Sequence, residues 1–145
     1  MTATGNIVYT VLVSSGLVGA AMTHTVPLMP RPGLERFYTV DSLSAERIEG
    51  DVVLHVDRTI HAPITMSYAV RVFSMTHAGA VLICAAQGGP YRYRPDAVLP
   101  NPVTLDWWTN GQCPDAPPGQ VQIETTWDPV IPDYPPITVT AEVEP

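Results

Sequence analysis

The chain has 145 residues, 46% of them hydrophobic and only 14% charged, which suits one domain with a real core and excludes a disordered polypeptide. Its 16 prolines and 10 glycines argue against a helical bundle, since both residues interrupt helices. A formal charge of −7 disfavours nucleic acid as a partner, and the seven basic residues are all arginine, which removes lysine chemistry.

From Met1 to Pro30 there is no Asp, Glu, Lys or Arg. Within this stretch Ile7–Val26 is long enough to span a bilayer as a helix, with Tyr9 and His24 placed for the two interfaces. The expectation is an N-terminal transmembrane anchor over residues 1–26, with the membrane as partner through residues 7–26. Two other readings stand beside it. Val18-Gly19-Ala20 and Gly19-Ala20-Ala21 resemble signal-peptide cleavage sites, although Met1–Gly5 carries no basic residue. The run also suits a hydrophobic arm or first strand buried in a soluble assembly. Ser15/Gly19 and Gly16/Ala20 repeat small residues at i, i+4, a spacing that lets two membrane helices approach and makes a homo-oligomer a candidate state. Residues 27–36, rich in proline, read as a stalk.

Residues 37–145 read as an all-β domain. Val52, Leu54 and Val56 alternate with Val53, His55 and Asp57, after a turn at Glu49-Gly50-Asp51. Met66, Tyr68, Val70 and Val72 alternate in the next run, and the wholly apolar Ala80–Ala86 suits a central strand. Val121–Trp127 and Ile137–Glu142 alternate again, with shorter candidates at Phe37–Asp41, Tyr91–Tyr93 and Val103–Trp107. Leu43–Glu49 is the one helical turn expected in the body. About seven short strands separated by Gly/Pro/Asn turns predict an immunoglobulin-like β-sandwich, with a jelly roll or partial barrel as the alternative.

Cys84 and Cys113 either form one disulfide or are two separate buried thiols; the bridge is expected if the body lies in an oxidising compartment. Orientation is contested by two signals. Arg31 and Arg36 follow the apolar segment, which by the positive-inside rule favours a cytoplasmic body, whereas a disulfide requires the opposite. The sandwich and the cysteine pair favour a single-pass protein with its body outside the cytoplasm.

Chemistry-bearing patterns are sparse. His55, Asp57 and His61 could converge on a metal only with a satisfied second shell, and polar residues around a strand end are the simpler account. His77 reads as a turn residue. There is no Gly-x-Ser-x-Gly elbow, no Cys-x-x-Cys and no glycine-rich phosphate loop, and the pairs Glu46/Glu49 and Asp128/Asp133 sit in surface-like stretches. No catalytic residue, metal or cofactor is expected. The aromatic residues carry more. Tyr91 and Tyr93 share one strand face with Arg92 and Arg94 opposite, and Trp107-Trp108 must direct one ring outward, so these four rings are the candidate binding surface for a protein or glycan partner. The simpler account puts Trp107 in the core, Trp108 over the Cys113 loop and Trp127 under the proline-rich tail.

With the N-terminal segment, the runs GDVVLHVDRTI, LPNPVTLDWWTNGQC and PPGQVQIETTW resemble small proteins encoded by tailed phages and prophages, over Gly50–Trp127. The resemblance implies a non-enzymatic exported or virion-associated role and brings no catalytic residues. The leading expectation is a membrane-anchored structural or interaction module at a cell envelope. The alternatives are a virion component whose N-terminal arm packs between subunits, and a secreted carbohydrate-binding domain.

Overall fold

Period-two alternation is strictest in the strand Val121–Pro129, where Val121, Ile123, Thr125, Trp127 and Pro129 are buried and the residues between them are not. A computed structural model describes residues 33–131 and 134–145, and in it this strand is the sixth of seven. The others are β1 (Tyr38–Ile48), β2 (Asp51–Ile60), β3 (Ile64–Thr76), β4 (Gly79–Tyr93), β5 (Val103–Thr104) and β7 (Ile137–Val143), with β6 as above. They form two antiparallel sheets, ordered β1-β2-β5 and β4-β3-β6-β7. The sheets lie close at β1 and β7, and Val52, Leu54 and Val56 of one face Met66, Val70, Val72, Val121 and Ile123 of the other in one core. The anchor, signal-peptide and arm readings of Ile7–Val26, and the pairs Ser15/Gly19 and Gly16/Ala20, fall outside the described residues. Among the described residues no helix is long and apolar enough to cross a membrane. Leu34, in a single 3-10 turn ahead of β1, is buried in the core.

Three local expectations are corrected. Leu43–Glu49 is not a helical turn, because β1 continues to Ile48 in unbroken register with β2 from Ser42↔Asp57 to Ile48↔Asp51. The intervening Glu49-Gly50 has positive φ at both residues (51° and 89°), the two-residue turn geometry that matches strand twist. Pairing across this hairpin overrides the helix-favouring Leu, Ala, Glu and Arg of the segment. Ala80–Ala86 is not a central strand. It belongs to β4, which pairs only with β3 among the described residues and is a sheet edge; Val81, Leu82 and Ile83 are 49%, 50% and 42% exposed. Tyr91–Tyr93 is the far end of the same strand. Finally, Val103–Trp107 stops pairing after Thr104, whose hydroxyl accepts from the Trp107 N–H at 3.1 Å and caps one helical turn, α1 (Leu105–Trp108).

The turn at α1 is locked from below. Buried Thr109 donates through its hydroxyl to the Leu105 carbonyl at 2.8 Å and accepts the Cys113 N–H at 3.0 Å. That places Cys113 beside β4, where its sulfur lies at disulfide distance from that of Cys84, with the Cα atoms 6.0 Å apart. The other side of the sandwich is tied by Arg47, which donates to the Pro117 and Gly119 carbonyls at 2.5 and 2.9 Å and holds the proline-rich loop against β1.

Candidate aromatic groove

Two adjacent tryptophans on one helical turn point about 100° apart, so one must leave the core if the other fills it. Trp108 is the buried one, 5% exposed, and Trp107 is the outward one at 53%. This inverts the simpler account of the pair drawn from sequence. Trp108 stands edge-on to Trp127 at 6.0 Å, and its indole N–H donates to the fully buried Thr125 hydroxyl at 3.0 Å. Trp127 is at the centre of the core, with Tyr38 5.3 Å away, rather than beneath the tail.

Beside this cluster lies a groove of about 550 Å³, within the range of ligand pockets. Its lining includes Tyr91 and Tyr93 from β4 and Trp107 and Trp108 from α1, so the fold brings all four rings of the candidate surface to one concavity. Their exposures differ. Trp107 and Tyr91 (46%) are open to solvent, Tyr93 is half-buried against Tyr38 at 5.7 Å, and Trp108 forms the wall. Tyr91 stacks on Tyr68 of β3 at 5.9 Å, adding a fifth ring.

The groove also holds Arg58, Asp106 and Asn110, while Arg92 lies at its edge on β4 and turns its guanidinium to the Thr65 hydroxyl at 3.3 Å on the opposite face of the sheet. Arg58 occupies the inward parity of β2, after Val52, Leu54 and Val56 and before Ile60, where the strand reaches the rim of the core. Its guanidinium donates to the Tyr38 hydroxyl at 3.4 Å and lies 5.4 Å from the Trp108 ring centre, a cation–π placement. Among the described residues its buried Nε has no hydrogen-bond partner and no carboxylate pairs with it. Burial pushes the Tyr38 hydroxyl far above the ordinary tyrosine range, with Arg58 opposing. Tyr93 is raised by burial against the same opposition, and Tyr68 by burial with Tyr91 adding. These three hydroxyls are therefore neutral at physiological pH, and Arg58 stands against Asp106 in formal charge. Sequence reading placed Tyr68 on the alternating face of its strand without joining it to the candidate surface, and did not single out Arg58. The signal was present: both share the period-two register of the buried residues on their own strands.

The polar residues considered for metal are kept apart. His55 Nε2 lies 2.6 Å from Glu46, Asp57 accepts from the Ser42 hydroxyl at 3.2 Å, and His61 lies 3.1 Å from the Thr39 hydroxyl. Each is engaged by a different residue of β1, and among the described residues no cluster of three metal-ligating side chains forms. His77 sits in the β3–β4 turn. Comparison of the chain with protein-family models, curated proteins and solved structures finds no match.

Proposed function

We propose that this chain is a non-enzymatic, immunoglobulin-like module held at a cell envelope by its N-terminal segment, and that it engages its partner through the aromatic groove. The observation that carries this is the convergence of Tyr68, Tyr91, Tyr93, Trp107 and Trp108 on one concavity, with Trp107 and Tyr91 about half exposed. Rings left open to water beside hydrogen-bonding groups are the composition of a recognition surface. The immunoglobulin-like reading is supported by strand order: β1-β2-β5 and β4-β3-β6-β7 correspond to A-B-E and C′-C-F-G of that architecture. The disulfide departs from it, since it ties β4 to the loop after α1 instead of bridging strands B and F. Its outward orientation is supported by that bridge, which persists in oxidising compartments.

The chemistry of the groove favours a saccharide bearing carboxylates. A sugar ring presents an apolar C–H face to Trp107, and Arg58 supplies donors to acidic groups. The test is a titration of the full-length chain in mild detergent with cello-oligosaccharides and with oligogalacturonates, followed by tryptophan fluorescence. Binding is expected to favour the uronate series and to weaken about tenfold or more in Trp107→Ala. Equal binding by native protein and Trp107→Ala, or no binding of either series, overturns the groove as a saccharide site.

A further inference from the structure

We infer that the half of the β4 edge left open among the described residues is a self-association site, where a second copy of this chain pairs its own β4 antiparallel to the first. The inference is independent of the groove. β4 runs along the outside of its sheet, and its two halves are treated differently. At Gln87 the edge is capped: the Gln112 carboxamide accepts from the Gln87 N–H at 3.3 Å and donates to its carbonyl at 2.9 Å, as a neighbouring strand would. The bridge from Cys113 holds that cap beside Cys84. From Gly79 to Ile83 no other described segment covers the edge, and Val81, Leu82 and Ile83 stand about half exposed.

Natural edges of this kind are usually blunted with charge, proline or irregularity. A bulge interrupts the β3–β4 register opposite Val72 and Phe73, but charge is missing: no Asp, Glu, Lys or Arg occurs between Arg71 and Arg92. The other long edges, β1 and β7, lie against one another, and β5 is only two residues long. Charge selects the occupant. A chain carrying −7 meets repulsion when most of its surface approaches a copy of itself, and this neutral, apolar edge is where two copies can touch without juxtaposing like charges. Antiparallel pairing about a two-fold axis near Val81 and Leu82 then sets the apolar run of one copy against the same run of the other, the self-complementary form of a two-fold interface. About five residues of strand per copy cover less than the roughly 800 Å² per partner of a standard interface, so association is expected in the micromolar range.

The test is sedimentation velocity on the full-length chain in nonionic detergent across a concentration series. Native protein is compared with Val81→Arg, Leu82→Arg and Val98→Arg, the last replacing a 96% exposed side chain away from the edge. Circular dichroism and non-reduced intact mass check that each variant keeps its fold and its bridge. Native protein and Val98→Arg are expected to dimerise alike and the two edge variants about tenfold more weakly. In parallel, Leu82→Cys should cross-link to a covalent dimer on mild oxidation while Val98→Cys does not. A monomeric native chain overturns the inference, as does association that Val81→Arg leaves unchanged, which would assign it to the N-terminal segment. Monomeric protein that binds phosphatidylcholine vesicles through Val81 and Leu82 also overturns it, making this edge a lipid contact.

Discussion

The hydrogen bond between Trp108 and Thr125 offers the sharpest quantitative check on how the two sheets are joined. Both residues are buried, at 5% and 0% exposure, and the N–H to hydroxyl distance is 3.0 Å. Trp108→Phe keeps a ring against Trp127 but removes the donor. Leaving the buried Thr125 hydroxyl unpaired costs about 1–3 kcal/mol, and the lost indole volume adds about 1–2 kcal/mol. Thr125→Val keeps the volume and strands the indole N–H instead, again at about 1–3 kcal/mol. In the double variant neither group is left unpaired, so its cost should fall about 1–2 kcal/mol short of the sum of the singles. Urea unfolding of the full-length chain in oxidising buffer, followed by circular dichroism, gives all three values. Additivity within about 0.5 kcal/mol would refute the reasoning, because uncoupled residues behave that way. The neighbouring Trp107→Ala supplies the contrast: a ring 53% exposed should cost no more than about 1 kcal/mol.

Three further outcomes follow from the same geometry. The burial that raises Tyr38 and Tyr93 makes their stabilising contribution complete below the unfolded-state value of about 10 and lost as pH climbs through the higher folded values. Their tyrosinate absorbance, identified by difference against Tyr38→Phe and Tyr93→Phe, should therefore appear only with alkaline unfolding; a difference signal near pH ~10 without change of fold would contradict their placement. Removing the Cys84–Cys113 link by paired alanine substitution reopens a 29-residue loop and should cost about 3–4 kcal/mol in urea unfolding, whereas a change under about 1 kcal/mol would mean the bridge does not constrain the chain. Arg47→Ala should cost about 2 kcal/mol and speed amide exchange in Pro117–Gly119's neighbours Gln120 and Val121, and unchanged exchange there would remove Arg47 as the tie.

Much of the body was legible because β2, β3, β6 and β7 have one face in the core, and a half-buried strand writes its period into the sequence. The cysteine pair was legible because only two cysteines exist to be joined. What misled was uniformity. Ala80–Ala86 is apolar throughout, and a run without alternation cannot distinguish burial on both faces from exposure at an edge. Leu43–Glu49 misled for the opposite reason: its residues favour helix locally, while its strand state depends on β2, which follows it in the chain. At the groove, the four rings were visible as aromatic residues, but their convergence depends on the Thr104 cap that turns the chain from strand to helix. Which tryptophan faces out was set by that cap. Arg58 was overlooked because a charge in an inward register looks like an exception to the pattern; here the exception marks where the core opens into the groove.

The claim on which the account turns is an oxidised sandwich held at a cell envelope. Intact mass of the protein taken from membrane and soluble fractions, with thiol alkylation before and after reduction, tests it directly. The account predicts full-length chain in the membrane fraction, with Cys84 and Cys113 alkylated only after reduction. Full-length chain in the soluble fraction with both thiols free would contradict it, placing the domain in a reducing compartment without its bridge.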